Sequence, residues 1–68
     1  MRTIVKTSRG YVMVDTYDTF DAGLETMVFS CTEGGSIISY GYLDVRHYAT
    51  VPEAIKGHMD MIEKWRSR

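Results

Sequence analysis

The chain has 68 residues, of which 44% are hydrophobic and 25% are charged, and its formal net charge is -1. A chain this short forms one domain with a thin core, because it buries only about 60% of the surface that it exposes when unfolded. No stretch approaches the ~20 apolar residues that a membrane span needs, and the first residues contain no apolar run typical of a signal peptide. We therefore expect a single domain with no membrane contact.

The single cysteine, Cys31, excludes a disulfide within the chain and favours a reducing compartment such as the cytoplasm. The two histidines, His47 and His58, do not belong to a cluster with zinc-ligand spacing, so we predict neither a metal site nor a cofactor. Small domains without a disulfide or a structural metal are usually stabilised by association. A homo-oligomer or a complex with another protein is therefore the expected state.

Charge is unevenly distributed along the chain. No Lys or Arg stands between Arg9 and Arg46, while that interval holds Asp15, Asp18, Asp21, Glu25, Glu33 and Asp44. Nucleic-acid binding requires a clustered basic surface that attracts phosphates. The acidic interval therefore argues against a nucleic-acid partner.

Alternating and β-branched segments predict three or four antiparallel strands, at about residues 2–7, 11–17, 24–32 and 42–48. Residues 8–10 and 33–36 are typical of turns, since glycine accommodates the positive φ that tight turns require. Gly41 interrupts the segment before the last strand and indicates a bulge there.

A helix is predicted over about residues 51–66. Residues 50–53, with the sequence TVPE, form a capping box in which the Thr50 hydroxyl caps the first turn, where proline is tolerated. At ~100° per residue, one apolar stripe contains Val51, Ala54, Ile55, His58, Ile62 and Trp65. The pattern predicts an α+β domain, in which one C-terminal amphipathic helix packs on one face of the antiparallel sheet and nothing covers the other face.

Three short segments carry a resemblance to a known family. They are the sequence ETMVF at residues 25–29, HYAT at residues 47–50 and EAIKGH at residues 53–58. In this order they resemble a family of small uncharacterised tailed-phage and prophage proteins, over roughly residues 24 to 62, although His47 stands where arginine is common in that family. The resemblance implies a phage accessory protein in the host cell cytoplasm, and it brings no mechanism with it.

His58 and Glu25 are polar residues at positions where apolar ones are expected. His58 lies in the apolar stripe of the helix, where it is either a ligand or proton-transfer group or a neutral, buried histidine. In the second case it would hydrogen-bond a backbone carbonyl or a tyrosine hydroxyl, and this is what we expect. Glu25 is either a general base coupled to His47 or a rim carboxylate that is solvated or paired with Arg46 or Lys6; we again expect the second. Since no nucleophile or oxyanion site accompanies either residue, we do not predict an enzyme.

Tyrosines are the main candidates for a contact surface. On the predicted last strand, Tyr40, Tyr42, Arg46 and Tyr48 share one face, which the helix leaves open, so that they either meet a partner or cover the sheet against water. Tyrosine is enriched in interfaces because it combines a large contact area with a polar tip. We therefore expect a non-enzymatic homo-oligomer, most simply a dimer, that binds a host or phage protein. The alternative is a protein that binds a small nucleotide signal between subunits, with tyrosine stacking on the base and Arg46 pairing with phosphate.

Overall fold

The computed structural model describes residues 1–19, 21 and 23–68. Within these residues the chain forms four strands and one helix: β1 (Arg2–Thr7), β2 (Gly10–Thr19), β3 (Gly23–Cys31), β4 (Asp44–Tyr48) and α1 (Val51–Arg66). The strands lie side by side in sequence order, and each neighbouring pair is antiparallel. The predicted α+β fold, an antiparallel sheet with a C-terminal helix packed against it, is confirmed. The helix is too short and too polar to cross a membrane.

The first hairpin turns on Ser8 and Arg9, because Thr7 pairs with Gly10 across the two strands. Gly10 has a φ of 137°, a backbone conformation that residues with a side chain rarely adopt. This glycine therefore begins β2 directly after a two-residue turn. At the other end of the chain, β4 begins at Asp44, two residues after the predicted start.

The face of the sheet that is turned toward α1 holds the main apolar core. Its cluster consists of Val5, Val12, Val14, Val28, Met61 and Ile62, with Trp65 partly buried against it. Val14 and Val28 are directly paired across β2 and β3, and neither has exposed surface. Since fully burying an aliphatic side chain contributes about 1.5–3 kcal/mol, this cluster is the main hydrophobic support of so small a chain.

The helix begins where the capping box predicts. The Oγ1 atom of Thr50 accepts a hydrogen bond from the backbone N–H of Glu53 at 3.3 Å and donates to its Oε1 at 2.8 Å. The predicted apolar stripe is wrong at Val51 and Ile55, which are 58% and 49% exposed. Gly57 is buried instead, because its missing side chain lets that side of the helix approach β4 closely and turns Ile55 away from the sheet.

The sheet face turned away from α1 is partly covered, contrary to the prediction. Met13, Phe29 and Cys31 lie on it and are each less than 10% exposed. The segment between β3 and β4 provides the cover, because Gly35 lies against the Met13 side chain and the Tyr40 ring packs edge-on against Phe29. The periodicity of strands and helices could not predict this, since the segment is irregular.

Candidate functional site

A chain of hydrogen-bonded side chains runs through the core beneath the helix. The Nε2 atom of His58 is 2.9 Å from the Thr3 hydroxyl, and its Nδ1 atom is 2.6 Å from the Thr16 hydroxyl. The Thr16 hydroxyl is 2.6 Å from that of Thr26, which is 2.9 Å from the hydroxyl of Tyr48. Each hydroxyl can donate one hydrogen bond and accept another. All of these hydrogen bonds can therefore form with either neutral tautomer of the imidazole.

This network joins the helix to all four strands of the sheet. Since His58 is only 2% exposed, a substrate cannot reach its imidazole while the helix is docked. No buried side-chain nitrogen or oxygen among the described residues lacks a partner. The predicted burial of His58 is therefore confirmed, but its predicted partners are wrong, because threonine hydroxyls take the place of a backbone carbonyl or a tyrosine hydroxyl. The network holds the fold together.

The pH dependence of stability is expected to report on His58. Burial lowers its pKa below the usual 6.5, the nearby Met1 ammonium lowers it further, and Asp15 opposes the shift. The unfolded chain therefore binds a proton near pH 6.5 that the folded chain does not bind, so stability is complete above this pH and falls as the pH drops through it toward the folded pKa. An NMR titration should give a His58 midpoint below 6.5; a midpoint above 6.5 would contradict the assignment.

Gly57 and Tyr48 form the closest contact between the helix and β4. A side-chain carbon at Gly57 would lie 2.1–2.3 Å from atoms of the Tyr48 ring, which is far inside van der Waals contact. The ring is held there by the hydrogen bond between its hydroxyl and that of Thr26. Tyr48 therefore belongs to the helix-facing side of the sheet, and its prediction as part of an open face is wrong.

A second polar cluster lies on the opposite face of the sheet. Glu25 is 6% exposed, its Oε1 accepts from the Tyr17 hydroxyl at 2.8 Å, and its Oε2 is 3.3 Å from Nδ1 of His47. Burial and the hydrogen bond to Glu25 raise the pKa of Tyr17 to about 12. The prediction of Glu25 as a solvated rim carboxylate is wrong, because the residue is buried. Its predicted pairing with Arg46 or Lys6 is also wrong, because the strand register places Tyr17 and His47 directly opposite it on the same face.

The His47–Glu25 couple has the geometry that orients a general base. The carboxylate lies at Nδ1 of the imidazole, and His47 is 60% exposed, so its Nε2 atom is available to solvent. Sequence reasoning considered this couple but missed Tyr17, whose position follows from the β2–β3 hairpin register. Tyr17, Glu25 and His47 are in polar contact with one another through the Glu25 carboxylate, and catalysis would further require a bound substrate and a nucleophile.

Two ionic contacts fasten β4 to the helix. Arg46 lies 3.7 Å from Asp60, so it is engaged within the chain. Asp44 accepts from Lys64 at 2.6 Å and from the Trp65 indole at 3.1 Å. Burial opposes ionisation of Asp44, but these hydrogen bonds outweigh it and lower its pKa below 3.8. The prediction that Arg46 lies on a face left open by the helix is therefore wrong, because Arg46 pairs with Asp60 of α1.

Tyr40 and Tyr42 lie before β4, in a protruding segment that we name the β4-edge segment (residues 38–43). The backbone N–H of Ile38 donates to Ser30 at 2.9 Å and that of Leu43 donates to Val28 at 2.7 Å, so the chain leaves the sheet edge and returns to it. The segment exposes four large side chains: Ile38 (67%), Tyr40 (76%), Tyr42 (55%) and Leu43 (50%). The predicted tyrosine face is therefore divided between this segment and the helix-facing side.

The described residues contain no group of three or more His, Cys, Asp or Glu side chains placed to hold a metal ion. Comparison of the chain with protein-family models, curated proteins and solved structures finds no match. The geometry described above is therefore the basis for the functional inference.

Proposed function

We propose that the protein is a non-enzymatic binding protein that acts by protein–protein contact and pairs with a second copy through the β4-edge segment. The observation that carries this proposal is the exposure of four large side chains within six residues. Single exposed apolar residues are ordinary on a protein surface, but several large ones along one short segment favour a contact site. Ile38, Tyr40, Tyr42 and Leu43 would form the centre of the contact.

The composition of the segment supports binding. Its central sequence, Ser-Tyr-Gly-Tyr at residues 39–42, combines the residue types that predominate in antibody binding loops. Tyrosine supplies a large, rigid contact area at a small entropy cost, whereas serine and glycine adapt to the partner. Backbone hydrogen bonds at both ends and the contact of Tyr40 with Phe29 hold the segment in place. Little ordering entropy would therefore be lost on association.

Self-association fits the size of the chain. A two-fold contact brings the same patch of both copies together, so one apolar segment serves both sides. An interface of standard size buries about 800 Å² per partner, which is roughly a fifth of the 4448 Å² surface of the chain. The contact would therefore extend from the β4-edge segment onto the adjoining sheet face, where Met27 and Val45 are half-buried.

The resemblance to tailed-phage proteins and the lone thiol Cys31 lead us to infer that the protein acts in the cytoplasm of an infected bacterium. A host or phage protein would be a further partner for the same surface. Such a partner would compete with the second copy, because both would bury the same tyrosines.

Sedimentation equilibrium tests this proposal with two matched variants. Tyr42 and Met59 are 55% and 57% exposed, so aspartate at either position adds one charge at a similarly accessible site. Wild type is expected to show a mass above the 7.8 kDa of one chain at micromolar concentration. Tyr42→Asp should lower this mass toward that of one chain, while Met59→Asp should leave it unchanged. A monomeric wild type, or equal effects of the two variants, would contradict the proposal.

A further inference from the structure

A groove of about 630 Å³ lies beneath the C-terminal end of α1, at the hairpin end of the sheet. This volume is within the range of small-molecule sites. Val12, Leu43 and Trp65 form its apolar side, and Arg9, Arg68 and Ser30 contribute polar groups. The lining includes Leu43 of the β4-edge segment, whereas the Tyr40–Phe29 contact of that segment lies on the sheet face turned away from the helix.

The described side chains that line the groove include cations but no carboxylate. Of the eight Lys and Arg residues, five form ion pairs with a carboxylate: Arg2, Arg46, Lys56, Lys64 and Arg66. Within residues 1–19, 21 and 23–68, the three that form none are Lys6, Arg9 and Arg68, and two of these line the groove. No Asp or Glu of the described chain lines it. Two guanidinium groups are thus available to an anion at one place.

The aromatic wall of the groove is held in a fixed orientation. The Trp65 indole N–H donates to Asp44 at 3.1 Å, and the guanidinium carbon of Arg68 lies 5.1 Å from the centre of the Trp65 ring. The indole hydrogen bond limits rotation of the ring, and the stacked arginine places a cation beside its face. A flat group that rests on this wall would therefore lie next to a donor for an anion.

We propose that this groove binds a small organic anion with a flat apolar body. The body lies against Trp65, Leu43 and Val12, and the guanidinium groups of Arg9 and Arg68 hold the anionic group. A carboxylate, a sulfonate or a phosphate satisfies this chemistry, since each offers two or more oxygens to an arginine fork. The groove shares Leu43 with the β4-edge segment, but both arginines lie outside that segment.

Binding of 2-naphthoate tests the proposal, with 2-naphthamide as the uncharged analogue. Trp65 is the only tryptophan of the chain, so its indole N–H gives a single NMR signal that reports on the groove. 2-Naphthoate is expected to shift this signal saturably and to bind about tenfold more tightly than 2-naphthamide, because only the carboxylate pairs with the arginines. Arg9→Gln and Arg68→Gln should each weaken 2-naphthoate by about tenfold and leave 2-naphthamide unaffected.

Lys6→Gln is the matched control, because Lys6 also lacks an ion pair with a carboxylate of the described residues but does not line the groove. It should leave the affinity for 2-naphthoate unchanged. Arg9→Gln and Arg68→Gln should keep the wild-type mass in sedimentation, which separates this test from that of self-association. Equal affinity for the acid and the amide would overturn the proposal. An equal loss of affinity for 2-naphthoate in Lys6→Gln and Arg9→Gln would also overturn the proposal. Such a result would show that only the overall charge of the protein matters.

Discussion

Replacing Ile62 with alanine is expected to lower the free energy of unfolding by about 2–5 kcal/mol, whereas the same replacement at Ile55 should change it by about 0.5 kcal/mol or less. Both isoleucines lie in α1, so the change in helix propensity is similar. Ile62 is 6% exposed and belongs to the core cluster with Val14, while Ile55 is 49% exposed. The difference between the variants therefore measures the packing of the helix on the sheet.

Urea denaturation of both variants would give these free energies. In so small a domain, the decrease in the free energy of unfolding expected for Ile62→Ala is large enough to leave much of the protein unfolded at room temperature. Comparable losses at both positions would contradict the orientation of the helix described here, and would favour the wider stripe that the sequence predicts.

Gly57→Ala is expected to destabilise the protein by about 1–3 kcal/mol, although alanine is the better helix former. The added methyl group would occupy the space of the Tyr48 ring, which would have to move and give up its hydrogen bond to Thr26. When Tyr48 is first replaced by alanine, the space is empty. In that background Gly57→Ala should stabilise the protein by up to about 1 kcal/mol, which is the difference in helix propensity.

A double-mutant cycle measures this reversal directly. The free energies of unfolding of wild type, both single variants and the double variant are compared. A destabilising effect of Gly57→Ala that persists without the Tyr48 ring would show that another contact limits the space beside Gly57.

Local rules predicted the helix and the strands. Thr50 and Glu53 form a capping box within four residues, and the hydroxyl of Thr50 accepts the predicted hydrogen bond. Alternation of side chains similarly predicted which segments form strands. Such features depend on neighbouring residues, and a single sequence shows them directly.

Features that depend on the alignment of strands, or on where the chain meets the sheet edge, could not be predicted in the same way. Glu25 meets Tyr17 and His47 because of how three strands are aligned, and a shift of one residue would separate them. The separation of Tyr48 from Tyr40 and Tyr42 depends on where the chain rejoins the sheet edge. That point is set by backbone hydrogen bonds from Ile38 and Leu43, which leave no periodic signal.

The proposed contact between two copies is most directly tested by isotope-filtered NMR on a mixture of labelled and unlabelled wild-type chains. This measurement detects only proton contacts between different copies. If the β4-edge segment forms the contact, the rings of Tyr40 and Tyr42 should show intermolecular signals to the same segment or to the adjoining Val45. Intermolecular signals confined to other surfaces, or none at a concentration where sedimentation shows association, would contradict it.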